Sequence, residues 1–177
     1  MTGEHLFWIS SRAAGILALL LATTAVCVGL MMGGRLTARR GPDLRVAHEA
    51  LSLATIVAIV VHAGALLFDS YLSPSLLDIT VPFVSSFDRL WTSLGIICGW
   101  AFVILGLSYY ARARIGVQRW KRLHRLTALV WLLSIAHALG QGTDAGQAWF
   151  LLGSGALVLP ALALLAARMT STKGVPA

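Results

Sequence analysis

The chain has 177 residues, of which 58% are hydrophobic and only 12% charged, and its mean hydropathy is +0.80. Water-soluble domains carry about 25% charged residues, so an ordinary soluble domain is excluded. The net charge of +7 would suggest nucleic acid in a soluble protein. Here the basic residues sort by loop, which makes membrane lipid the expected partner and excludes nucleic acid.

In chain order, five segments approach the roughly 20 apolar residues that a hydrocarbon core of about 30 Å requires: about 9–32, 47–68, 91–111, 123–140 and 148–167. The expected fold class is all-α, a polytopic membrane bundle of about five transmembrane helices, with residues 1–177 forming one domain. The first segment lacks a basic leader, and no small-residue cleavage site follows Met31-Met32, so it reads as a retained helix. Gly33-Gly34 closes it, and Gly41-Pro42-Asp43 forms a turn before the second helix begins near Leu44. The stretch from Asp69 to Arg89, broken by Pro74 and Pro82, is too irregular to span and is expected to lie along the outer surface. Glycines at 95, 99, 106, 153 and 155 suit close helix packing or, less often, room for a flat macrocycle. Pro160 is expected to kink the last span. Cys27 and Cys98 lie inside apolar spans, outside any haem-attachment or metal-spacing motif, and read as buried thiols.

Arg35, Arg39, Arg40 and Arg45 crowd the first loop, and Arg112, Arg114, Arg119, Lys121, Arg122 and Arg125 crowd the third. The second loop carries Asp69, Asp78 and Asp88 against Arg89, and the fourth only Asp144. Positive loops stay in the cytoplasm. The chain is therefore expected to be a multi-pass plasma (inner) membrane protein with its N-terminus outside and its C-terminus, with Arg168 and Lys173, in the cytoplasm.

Ionisable groups inside a membrane are costly and need a partner or a task. His48 and His62 lie 14 residues apart on the second helix, and His124 and His137 lie 13 apart on the fourth. At 1.5 Å per residue these are axial separations of about 21 Å and about 19.5 Å. Both helices run in the same direction, so His48 shares a depth with His124 and His62 with His137. Two facing imidazoles at each level are suited to ligate haem iron, and saturating its axial positions favours electron transfer. Fourteen residues return to within roughly 40° of one face, but 13 overshoot to about 220°. The fourth helix must then be locally irregular, or the two haems must approach it from different sides. A faint likeness joins the two histidine helices, His48 through His62-Ala63 and His124 through His137-Ala138, too weak to count as an internal repeat. His5 matches nothing and is given no role.

Haem propionates need cationic or hydrogen-bonding partners at the membrane edges. Arg45 and Arg125, with Lys121 and Arg122, flank the inner level, whereas Arg12 and Arg89 are the outer basic residues. Arg12 either contacts a propionate or snorkels to the interface. Most of the six tryptophans sit near span ends as an aromatic belt, while Trp100 and Trp131 lie deeper, where core packing is the default and a place beside or between haems the alternative.

His-x13-His and His-x12-His on alternate helices, supported by Trp-Lys-Arg-Leu-His (120–124) and His-x5-Gly-Thr-Asp (137–144), resemble the ferric-reductase-like transmembrane domain family. That family includes NADPH oxidases, eukaryotic ferric reductases and the haem subunit of the bacterial periplasmic methionine sulfoxide reductase system. The resemblance covers roughly residues 8–167. It implies two b-type haems, His48 with His124 inside and His62 with His137 outside. The family usually has six helices where this chain shows five, and no Gly-x-Gly-x-x-Gly unit for flavin or NAD(P)H is present. The expected donor is therefore a separate protein, a reduced flavin or a quinol, and the expected outer acceptor is ferric iron, oxygen or a partner protein.

Two other classes compete. A transporter would use the histidines as a proton or metal relay, but five helices without an inverted repeat or paired carboxylates argue against it. A membrane anchor that only docks a soluble enzyme leaves the four histidines without a task.

Overall fold

The computed structural model describes residues 5–33 and 41–171. Its elements are α1 (Leu6–Gly33), α2 (Gly41–Leu66), the short α3 (Leu76–Thr80), α4 (Arg89–Leu107), the single turn α5 (Arg112–Ile115), α6 (Val117–His124), α7 (Leu126–Gln141) and α8 (Ala148–Ser171). There is no strand among the described residues. Five helices are long and apolar enough to cross a membrane, α6 and α7 together forming the fourth. The fold is thus an all-α bundle of the expected kind. The basic residues Arg35, Arg39 and Arg40 of the first loop lie outside the described residues, as do Gly34 and Lys173.

Two boundaries differ from expectation for a physical reason. Gly41-Pro42 belongs to the first turn of α2 and is not a preceding turn; proline is tolerated there because its missing N–H would have no intrahelical partner. The fourth span is interrupted at Arg125, where α6 ends and α7 begins. Arg125 keeps helical dihedral angles, φ −63° and ψ −23°, so α6 and α7 form one span with a local irregularity, one of the two arrangements that 13-residue spacing allows.

The helices associate as two antiparallel pairs, α1 along α2 and α4 along α7, with α8 lying against α1. The buried face of α1 is built from small residues, among them Ser11, Ala14, Ala18, Ala22 and Ala25, which lets neighbouring backbones approach closely in a bilayer. Trp131 of α7 and Ala161 of α8 are fully buried against Ala22 and Val26 of α1. The Trp131 indole N–H donates to Thr23 Oγ1 at 3.0 Å, and Thr23 in turn donates to the Leu19 carbonyl at 2.7 Å, so no polar atom of this contact is stranded. α8 continues through Pro160 as one helix.

The loop between α2 and α4 folds back on α4. The half-exposed Trp100 donates from its indole to the Thr80 carbonyl at 2.8 Å, and the Ser93 hydroxyl accepts from the Phe83 N–H at 2.7 Å. Trp100 therefore pins a loop on the outside of the bundle and does not pack in the core. Within the loop a capping box starts α3: Ser75 and Asp78 satisfy each other's backbone N–H groups. The Ser75 hydroxyl and then its N–H hold the Asp78 carboxyl below the usual aspartate range.

Candidate functional site

The four intramembrane histidines all project from α2 and from the α6–α7 span. Near the end of the bundle that carries Arg45 and the α5–α6 arginines, the rings of His48 and His124 stand 6.0 Å apart between centroids, nearly perpendicular at 85°. Toward the other end, His137 lies within electrostatic range of His62. Each level takes one imidazole from each helix pair.

What holds the rings is main chain from the partner helix. His48 Nδ1 is 2.9 Å from the Ala25 carbonyl of α1, and His62 Nδ1 is 2.8 Å from the Ser11 carbonyl. His137 Nδ1 is 2.9 Å from the Trp91 carbonyl of α4. A carbonyl oxygen can only accept, so each Nδ1 carries the proton and each Nε2 is left with a lone pair. A donated Nδ1–H fixes tautomer and ring orientation and raises ligand basicity, the arrangement that metal-ligating histidines adopt. Ser11 adds a return bond, its hydroxyl donating to the His62 carbonyl at 2.8 Å.

One turn beyond each of these carbonyls stands a glycine facing the same ring. A β-carbon on Gly15 would meet His62 Nδ1 at 2.9 Å, one on Gly29 would meet His48 Cε1 at 3.1 Å, and one on Gly95 would meet His137 Cε1 at 2.5 Å. Sequence reasoning missed Gly15 and Gly29, although their 14-residue spacing equals that of His48 and His62 on the neighbouring antiparallel helix. Gly95 was read as packing or as room for a macrocycle; it makes room for a histidine ring. Gly99 and Gly106 face Ile59 and Ile56 of α2 and do serve helix packing, whereas Gly153 and Gly155 face open space.

The same pattern of carbonyl, glycine and histidine therefore occurs in both helix pairs. The pattern occurs twice between α1 and α2 and once, at His137, between α4 and α7. His124 departs from it. Its Nδ1 is buried without a hydrogen bond, the Leu105 carbonyl acting on the ring from outside hydrogen-bond geometry. Where the pattern puts a glycine stands Tyr109. His124 instead stacks on Trp120, with centroids 5.0 Å apart and planes 25° from parallel.

The arginines divide. Arg12, beside Ser11, binds Asp144 through both Nε and Nη2 and lies over the Trp8 ring at 5.1 Å. The distant Asp144 is its partner, in addition to any lipid or ligand contact. The Asp144 side chain is only 5% exposed while that of Arg12 is 37% exposed. Removing the carboxylate leaves the guanidinium partly hydrated, so Asp144→Ala is expected to cost about 2 kcal/mol, below the 3–5 of a fully buried pair. A fall in the thermal midpoint of the purified protein, larger for Arg12→Ala because that change leaves the buried carboxylate unpaired, checks this. Arg45 and Arg125 are exposed near His48 and His124 in the chain, and Arg125 Nε reaches the Lys121 carbonyl at 3.4 Å. The Tyr110 hydroxyl donates to Glu49 of α2 at 2.6 Å, a bond that raises the phenol above its usual pKa.

The donor set suits a planar group that brings its own remaining ligands. Each level offers two imidazoles, and no cluster of three or more His, Cys, Asp or Glu able to hold a metal ion occurs among the described residues. Two imidazoles bound on opposite sides of one metal through bonds of about 2 Å place their centroids roughly 6 Å apart, close to the spacing of His48 and His124. The cleft between them is lined by Ala22, Ser52, Ile56, Phe102 and Thr127, and two buried polar atoms on it, His124 Nδ1 and Thr127 Oγ1, have no partner. These residues fit haem. Compared with protein-family models, curated proteins and solved structures, the chain matches none.

Proposed function

We propose that this chain is a membrane b-type cytochrome that holds two haems, one between His48 and His124 and one between His62 and His137, and passes electrons across the bilayer. The observation that carries the reading is the set of three imidazoles donating Nδ1–H to main-chain carbonyls of a neighbouring helix, which leaves Nε2 free to ligate. Haem bound there supplies one-electron redox chemistry, and two axial imidazoles favour electron transfer over chemistry at the iron. The chain supplies the rest. Glycines let the rings seat against backbone, the apolar spans exclude water, and Arg45 and Arg125 at one end are available to propionates, whereas Arg12 at the other offers only the Nη1 that Asp144 leaves.

By the positive-inside rule the arginine-rich end faces the cytoplasm. The donor is then a cytoplasmic protein, a reduced flavin or a membrane quinol, and the acceptor on the outer side is ferric iron, oxygen or a protein. The histidine pattern's resemblance to the ferric-reductase-like family supports the same direction. In this reading the chain is an oxidoreductase component that relies on a separate donor.

The test is a dithionite-reduced minus oxidised spectrum of the purified protein, with haem quantified per chain as the pyridine haemochrome. About two low-spin b haems per chain are expected. Absence of haem after expression with adequate haem supply would replace this reading with a histidine relay for protons or metal ions.

A further inference from the structure

Of the four ligand histidines, one is held differently. His48, His62 and His137 are each fixed by an Nδ1 hydrogen bond of 2.8–2.9 Å and seated on a glycine of the partner helix. His124 has neither restraint. It also sits at the last residue of α6, where the helix ladder is irregular at Arg125 before α7 begins. Its fixed neighbour is Trp120 of the same short helix, whose indole N–H donates to Ser108 Oγ at 3.2 Å. A ring with no glycine seat and no close Nδ1 hydrogen bond to hold its azimuth or strengthen its basicity is the weakest ligand of the set.

Resting on the dihaem reading, we propose that His124 is an exchangeable ligand and that the haem it shares with His48, alone of the two, binds a small neutral diatomic molecule of the carbon monoxide class. The exchange is a substitution. With haem bound, the iron would lose His124 Nε2 and gain the carbon of carbon monoxide, with no electron or proton transferred and the imidazole keeping its Nδ1 proton. His62 and His137, each pinned by a hydrogen bond and a glycine seat, would both stay bound to theirs.

The experiment is a carbon monoxide titration of the dithionite-reduced protein in phospholipid vesicles, followed as the reduced-plus-CO minus reduced Soret spectrum. One carbon monoxide per two haems is expected. His62→Ala, which keeps the haem of the His48 level, should bind one per remaining haem, and His48→Ala, which keeps the other, should bind none. No uptake by the wild type, uptake at both haems, or uptake surviving in His48→Ala would overturn the assignment. The wild-type stoichiometry decides even where a variant fails to fold. A protein purified without haem would instead overturn the reading on which the assignment rests.

Discussion

His62→Ala and His137→Ala should each halve the haem content, from about two per chain to about one, and the haem lost should be the same one in both. The two residues belong to different helix pairs, so a shared spectroscopic loss is not what two unrelated local lesions would produce. Each substitution also removes a second hydrogen bond to a helix carbonyl, Ser11 O for His62 and Trp91 O for His137. Losing one such bond costs about 0.5–1.5 kcal/mol, too little to explain selective loss of one haem while the other keeps its band and midpoint potential. His48→Ala should remove the other haem. The measurement is the pyridine haemochrome together with potentiometric titration, and retention of both haems in His62→Ala and His137→Ala would sink the ligand assignment.

Gly95→Ala should remove the haem of the His62–His137 level as completely as His137→Ala does. Alanine in a helix interior is favoured over glycine by about 1 kcal/mol, so a glycine with no steric duty would give a more stable protein on substitution. Here the new β-carbon would sit 2.5 Å from His137 Cε1 and 2.8 Å from both ring nitrogens. The ring cannot slide away without giving up its bond to the Trp91 carbonyl one turn earlier on α4. The series is graded: Gly15→Ala, with a closest approach of 2.9 Å to His62, should weaken haem retention, and Gly29→Ala, at 3.1 Å from His48, should keep its haem with a shifted potential. Haem per chain and thermal midpoint for the three variants decide the matter. A stabilised Gly95→Ala protein with two haems would remove the proposed seat.

The spans, their order and the vertical matching of the histidines were legible in the sequence because hydropathy and rise per residue depend on composition and count alone. The phase mismatch of His124 against His137 allowed either a local irregularity or haems on two sides of the helix, and a slight irregularity lies at Arg125. The anchors of the rings were not legible, since Ser11, Ala25 and Trp91 act through main-chain carbonyls that every residue possesses. Gly15 and Gly29 left a trace in their spacing, but a glycine in an apolar helix has several common uses. Asp144 stands 132 residues from Arg12, and nothing local announces that pairing. Trp100 misled by its depth: distance from the span's end says how deep a side chain lies but not whether it faces the bundle or its outside.

The division of the histidines between two helix pairs has a consequence for biogenesis. Each half contributes a single imidazole to either level, so neither hairpin alone has a complete place for a cofactor. On the dihaem reading, cofactor insertion joins one half of the chain to the other, like a pair of rivets through two plates. Starvation for haem would then act first on the seam between α1–α2 and α4–α7, leaving each hairpin intact within itself. Haem supply would govern how much finished protein the membrane contains as well as how well it conducts electrons.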